Sequence, residues 1–359
     1  MKYLINRSDA LGDNILTMPM AEAIKELDPS AKIAFITSKI CEDLYKNHPY
    51  VDQVFYLNKK ESLLKNLKDS FQIFKEFSPD AYYYVGGVQS PTFVAWLKRV
   101  PLRGGLLSRL LSFLFLNKGT RQKRSQVAQH EIFYNVDLLR HLDGFEKVDD
   151  KEFFPSFNLS NHSSNIADFK KDLTQAGLDA GLPFIIIHPG MTGHTLNWPS
   201  HNYGRLVFIL NKYYKDKFNF IISYTPSDER FLIGARSEIE NHPELKKSVY
   251  FLNGALKGLN NYMHILKNAR AFVGPSTGTL HIAATLNVPV IGIYSPIKAQ
   301  SALRWGPRGK NYIQMVAPSV VCGEAVNCSF DDCPYYECMS KIEVDDIIKF
   351  LKPVLESEE

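Results

Sequence analysis

Short, unbroken apolar runs alternate along this chain with longer stretches whose apolar residues return every third or fourth position. That alternation predicts strands buried on both faces, separated by amphipathic helices. In the first half, Lys2 to Asn6 reads as a strand, Asn14 to Leu27 as a helix, and Lys32 to Thr37 and Val51 to Leu57 as strands. Glu61 to Phe77 follows as a helix, with Leu63, Leu64, Leu67, Phe71, Phe74 and Phe77 on one face, then Ala81 to Val85 as a strand and Glu131 to Leu142 as a helix. From Asp143 to about Ser164 the chain turns polar and rich in turn residues, as a linker would. The second half starts again with strands at Phe184 to His188, Phe218 to Tyr224, Ser248 to Leu252, Ala271 to Val273 and Pro289 to Ile293. Its helices are expected at Tyr203 to Tyr213, Ser227 to Glu240, Leu259 to Lys267 and from Thr279 onward. This order predicts an α/β protein of two Rossmann-like, doubly wound domains, 1–165 and 166–359, facing across a central cleft.

Composition fits that plan. At 359 residues, 45% hydrophobic and 22% charged, the chain has material for two ordinary domains and is too apolar for disorder. Its longest apolar patch, Leu110 to Leu116, falls short of the roughly 18 residues that span a bilayer. The opening Met1 to Arg7 meets charge too early for a signal or transit peptide, so a cytoplasmic protein is expected. Four of its five cysteines, Cys322, Cys328, Cys333 and Cys338, crowd together with gaps of five, four and four residues, while Cys41 reads as core. Structural zinc normally uses a tight C-x-x-C pair, so metal competes here with reduced thiols and a facultative disulfide. Neither a metal nor a cofactor is expected.

Charge changes the picture more. The net +4 hides a window from Lys98 to His130 that holds Lys98, Arg99, Arg103, Arg109, Lys118, Arg121, Lys123 and Arg124 and no Asp or Glu, so it carries +8 and the remainder −4. Leu110 to Leu116 lies inside it. Cations around an apolar patch suit an anionic membrane surface or an anionic amphiphile. A solvated basic loop beside a buried helix turn is the plainer alternative, and nucleic acid is disfavoured because no recognition motif is present.

In doubly wound sheets ligands bind beyond the carboxyl ends of the strands, where the strand order reverses. Four loops stand there. The first, Arg7 to Asn14, lacks G-x-G-x-x-G, which disfavours a dehydrogenase, and places Gly12 and Asp13 at a helix start. Asp13 there is either a helix cap or a carboxylate facing substrate, able to accept a proton. The second, Gly274 to His281, sets Ser276, Thr277, Gly278 and Thr279 before a helix, where unpaired N–H groups and the helix dipole favour a diphosphate over plain capping. The third, His188 to His194, contains Thr192 and Gly193 and leads into the corner Asn197-Trp198-Pro199. The fourth, Tyr224 to Glu229, ends on acidic residues that suit ribose hydroxyls or a helix dipole.

Together these elements resemble the family 9 glycosyltransferases, the lipopolysaccharide heptosyltransferases and their relatives, over nearly the whole chain. The resemblance is carried by Leu11-Gly12-Asp13 with Pro19, His188-Pro189-Gly190 with Asn197-Trp198-Pro199, Val273 to Ala284, and Trp305-Gly306-Pro307 with the run to Cys338-Met339. It implies a GT-B architecture and an inverting, metal-independent transfer of heptose from ADP-heptose to the lipopolysaccharide inner core, with the acceptor on the N-terminal domain. It makes Asp13 the catalytic base and Thr192, Gly193, Glu229, Ser276, Thr277, Gly278, Thr279 and His281 the donor site. Arg7, Lys118, Arg121, Lys123 and Arg124 would serve an anionic glycolipid acceptor of the lipid A type, with peripheral contact at the cytoplasmic face of the inner membrane. Two positions depart from the pattern: Ser276 stands where ADP-heptose users usually carry Asp, and Leu196 where many carry Lys or Arg. Another nucleotide-sugar donor, an epimerase, and a non-catalytic nucleotide-sugar or glycolipid binder are the competing readings.

Overall fold

The computed structural model describes residues 1–46, 48–159, 164–191, 195–320, 322, 328 and 337–357. It divides into two compact units, Met1–Arg124 with Ala128–Asn158, and Ser125–Val127 with Leu159–Glu359. The first holds strands β1 (Lys2–Arg7), β2 (Lys32–Thr37), β3 (Gln53–Tyr56), β4 (Ala81–Gly86), β5 (Leu102–Leu106) and β6 (Lys118–Thr120), in the sheet order β3-β2-β1-β4-β5-β6. The second holds β7 (Phe184–Ile187), β8 (Asn219–Tyr224), β9 (Val249–Asn253), β10 (Ala271–Pro275), β11 (Val290–Ile293) and β12 (Ile313–Val316), in the order β12-β11-β10-β7-β8-β9. Counted within its own unit, each sheet reads 3-2-1-4-5-6, the Rossmann order, and reverses between its first and fourth strands. Those central pairs are parallel, with Ile5 opposite Tyr83 in one unit and Val273 opposite Ile187 in the other.

Each unit has its own core. In the first, helix Leu63–Phe77 lays Ile73, Phe74 and Phe77 against Leu4, Ile36, Phe55 and Tyr82. In the second, Ile185, Ile187, Phe220, Ile222 and Val273 pack under Leu206, Leu210, Ile347 and Leu351 from the helices Ser200–Tyr213 and Val344–Glu356. Truncating one such phenylalanine costs about 3–5 kcal/mol, so these faces fix the sheets that carry the loops.

The helix expected over Asn14 to Leu27 is two, Leu11–Ile15 and Pro19–Leu27. Pro19 has no N–H to donate into a continuing helix, and it suits the first turn of a new one. The basic window is more ordered than a loop, since it folds as β5, helix Leu110–Phe115 and β6, and helix Ser90–Leu97 leads into it. Within the expected linker, Phe145–Lys147 forms a single turn of 3-10 helix. Among the described residues, no helix is long and apolar enough to cross a membrane.

Candidate active site

In the first unit the reversal of the sheet is between β1 and β4, and a polar network ties the two strand ends together. The side-chain amide of Asn6 donates to Val88 O at 2.7 Å and to Tyr82 Oη at 3.2 Å, and Ser8 Oγ accepts from Val88 N at 2.8 Å. Gly87 takes a φ of +94°, and a Cβ there would collide with Ser8, so the two loops approach each other only because this residue has no side chain. Asn14, fully buried, anchors the next helix: its amide donates to Ala10 O at 2.9 Å and its Oδ1 accepts from Thr37 Oγ1 at 2.7 Å and Tyr45 Oη at 3.0 Å.

That frame holds Arg7 and two carboxylates. The buried guanidinium of Arg7 donates to Asp13 Oδ1 and, at 3.1 Å, to Val85 O, and its Nε forms an ion pair with Asp9 Oδ1 at 2.9 Å. Burial alone would lower the Arg7 pKa, but the charges of Asp13 and Asp9 outweigh it and hold the group above an ordinary arginine. Burial pushes the Asp9 carboxyl up, against the pull of Arg7, and the Asp13 carboxylate adds to the rise while Lys59, 3.7 Å away, opposes it. Asp13 is not a helix cap. The helix begins on Ala10 with no side-chain cap, and the Asp13 side chain turns to Arg7 while staying 24% exposed. Arg7 is thus paired with both carboxylates.

In the second unit the reversal is between β7 and β10. The chain leaves β10 through Ser276 and Thr277 into helix Gly278–Thr285. Thr277 is the cap residue with extended backbone, yet its own side chain does not cap the helix: its Oγ1 sits 2.8 Å from Thr279 Oγ1 and 3.3 Å from Pro275 O. The first-turn N–H groups have the hydroxyls of Thr277 and Thr279 beside them and buried His281 in the same turn. Ser276 is buried, and nearby Tyr294 Oη donates to Trp305 O at 2.8 Å.

The neighbouring loops are fixed by small, specific contacts. Asn197 donates to Pro189 O at 2.8 Å and accepts from Trp198 N and Tyr203 Oη, and Trp198 Nε1 donates to Ile342 O at 2.8 Å, so Asn197-Trp198-Pro199 is a structural corner. Thr192 and Gly193 lie outside the described residues. Glu229 points outward, its side chain 57% exposed and 3.4 Å from Arg236. Its neighbour Asp228 is the buried acid: its Oδ2 accepts from Thr225 N and Thr225 Oγ1 at 2.7 Å, and a Cβ on Gly190 would run into its carboxylate. Burial pushes His188 below the ordinary histidine pKa, against Asp228 and its contact with Ser223 O at 2.9 Å. The inward turn of Asp228 was signalled by the Thr-x-x-Asp capping spacing, while an acid pair alone does not say which member faces in.

The basic window divides in two. Lys118, Arg121 and Lys123 are exposed, as are Lys98, Arg99 and Arg109. Arg124 turns inward to a buried pair with Glu131 and a hydrogen bond to Asn135 Oδ1 at 3.1 Å, and Arg103 donates to Phe115 O at 2.8 Å. Glu131, just past the end of the acid-free window, neutralises Arg124. Cys41 and Cys338 are buried in the two cores, and Cys333 lies outside the described residues.

Two Rossmann-order units, each presenting a polar loop at the reversal of its own sheet, make up a GT-B architecture. The family model of glycosyltransferase family 9 (heptosyltransferase) matches residues 81–329, and the chain belongs to that family. It is similar to a Haemophilus influenzae protein named only as a glycosyltransferase, 25% identical over 85% of this chain and 86% of the relative. It is 23% identical to lipopolysaccharide heptosyltransferase 1 of Campylobacter coli over all of both chains. The solved structure of E. coli ADP-heptose lps heptosyltransferase II superposes with a TM-score of 0.76 at 17% identity, covering 99% of this chain and 98% of that one. The protein is a glycosyltransferase.

Proposed function

We propose that the protein moves heptose from ADP-heptose onto the inner core of a lipopolysaccharide precursor, with inversion and without a metal ion. The second unit takes the donor and the first the acceptor. The observation that carries this reading is the pair of sheet reversals, with Asp13 held by Arg7 at one and an uncapped helix N-terminus at the other. Similarity to relatives named as ADP-heptose or lipopolysaccharide heptosyltransferases supports the choice of sugar and acceptor.

Asp13 takes the proton of an acceptor hydroxyl through the oxygen that Arg7 does not occupy. The hydroxyl oxygen then bonds the anomeric carbon as the bond from that carbon to the diphosphate breaks, and ADP departs with the electron pair. Negative charge grows on the diphosphate, so fixed N–H donors of Gly278 and Thr279, with Thr277 and His281 beside them, stabilise the transition state more than the bound donor. This assigns to the helix end the role a divalent cation plays elsewhere. Ser276 faces the sugar as a neutral hydrogen-bonding group, and Glu229 serves the ribose by swinging from Arg236. Lys118, Arg121 and Lys123 attract an acidic glycolipid, which also brings the protein into peripheral contact with a membrane.

The test has two parts. Thermal stabilisation is measured with ADP-, UDP-, GDP- and dTDP-sugars; a donor at 100 times its Kd adds about 2.7 kcal/mol, and ADP-heptose is expected to lead. Stabilisation by another nucleotide-sugar in its place would remove heptose from the proposal. Asp13→Asn is then expected to lower kcat about 10²- to 10⁴-fold with donor stabilisation intact; unchanged turnover removes Asp13 as the base.

A further inference from the structure

We propose that helices Ser90–Leu97 and Leu110–Phe115 of the first unit form one wedge that docks on an anionic lipid surface. The proposal rests on the glycolipid reading for its purpose, but it is measured without any transfer reaction. Ring contacts join the two helices: Phe115 packs against Phe93 at 5.4 Å and Trp96 at 4.9 Å between centroids. Outward from that root, Leu110 is 72% and Leu114 60% exposed, and Trp96, Leu97 and Phe113 are exposed beside them. Single exposed leucines are ordinary on protein surfaces, whereas five large apolar side chains on two touching helices make a patch.

The leucines are held outward. Ser112 is buried, and its Oγ accepts from the backbone N–H groups of Ser108 at 3.2 Å and Arg109 at 3.1 Å while donating to Arg109 O at 2.6 Å. This clamps the start of the second helix with Ser112 inward and Leu110 and Leu114, on the opposite side of the turn, toward solvent. Charge identifies the occupant. Lys98, Arg99, Arg109, Lys118, Arg121 and Lys123 are all exposed in this segment, and Arg121 lies 5.3 Å over the Phe113 ring. No acid occurs between Lys98 and His130. A nucleic acid would use the cations but not the leucines, and an apolar protein partner the leucines but not the cations. Anionic lipid uses both, with aromatic and leucine side chains entering the acyl boundary and cations on the headgroups.

The experiment uses the full chain, with vesicles of equimolar phosphatidylglycerol and phosphatidylcholine compared with phosphatidylcholine alone. Binding by co-sedimentation is expected to the anionic vesicles and to weaken about fivefold for each of Lys118→Gln, Arg121→Gln and Lys123→Gln. Leu110→Ser with Leu114→Ser is expected to weaken it tenfold or more while thermal stabilisation by ADP stays unchanged, which separates this face from the donor reading. Insertion should blue-shift tryptophan emission, and Trp96→Phe should abolish the shift, because the other two tryptophans, buried Trp198 and half-buried Trp305, belong to the other unit. Equal affinity for both vesicle types, or unchanged binding by the double leucine variant, overturns the proposal. A lipid-free dimer that the double variant dissolves also overturns it, by making this face an interface between copies.

Discussion

Arg7 is the residue whose surroundings say most about its role. It contacts Asp9, Asp13 and Val85 O from one buried guanidinium, a geometry that a planar fork can satisfy and an ammonium cannot. Arg7→Lys keeps the charge but frees the Asp13 carboxylate to wander, and a misplacement of about 1 Å can cost about 10²-fold in rate. The expected result is a kcat lowered about 10- to 100-fold with donor affinity unchanged, read by steady-state kinetics beside nucleotide titration. Wild-type turnover in this variant would mean that Arg7 does not position the base. Gly190 makes a second case, because it lies directly against the Asp228 carboxylate. Gly190→Ala forces that buried acid to shift, and a loss of about 1–3 kcal/mol in urea unfolding is expected. Neither contact was legible in the sequence. Asp13 stood out by its spacing after a strand, but its partner six residues earlier is set by how β1 ends beside β4, and the capping spacing that turns Asp228 inward does not say that Gly190 lies against it.

At the scale of elements, helix Gly278–Thr285 offers a substitution that removes one donor and little else. Gly278 is the first helical residue, where proline is favoured, and Thr277 before it already has the extended backbone that proline demands, with φ −137° and ψ 166°. Gly278→Pro deletes a single N–H from the proposed diphosphate site. A hydrogen bond to a charged group contributes about 1.5–3 kcal/mol, so ADP affinity should fall at least tenfold by calorimetry while the melting temperature without ligand barely moves. The segment after helix Glu42–Tyr45 carries a different signal. Buried His48 accepts from Tyr50 N at 3.2 Å, and burial pushes its pKa down to about 4. Since the folded value lies below that of the unfolded chain, the contribution is whole above pH 6.5 and is lost as pH falls from 6.5 toward 4, by up to about 3 kcal/mol. His48→Asn keeps an acceptor without the titration, and its unfolding free energy should fall less steeply over that interval. Elements were read well where apolar runs were continuous, as in β1, β2, β7 and β8. They were missed where the sheet thins toward an edge: β5 contains Gly104-Gly105, and β6 is three residues long. Helix Ser164–Gln175, which begins where the expected linker ends, was not read as an element because it is mostly polar and buries little beyond Phe169 and Leu173.

For the whole molecule, the same strand order occurs twice, and each copy is closed around a separate core. The alternation of strand and helix made two doubly wound sheets legible, but the order 3-2-1-4-5-6 was not, because it depends on edge strands that the pattern did not reveal. That order sets two loops far apart in sequence at the reversals of their own sheets, Asp13 after the first strand of one and Thr277 after the fourth strand of the other. It also makes a prediction about energetics. A ligand held by one unit stabilises the structure that must open to release it, by about 2.7 kcal/mol at 100 times Kd. If the donor belongs to the second unit, saturating ADP should slow hydrogen exchange in β7, β10 and helix Gly278–Thr285, and leave the amides of β2 and β3 exchanging as before. Mass spectrometry of peptides from the two units reads this directly. Protection centred on β1 and helix Leu11–Ile15 instead would move the nucleotide to the first unit and exchange the roles of the two loops.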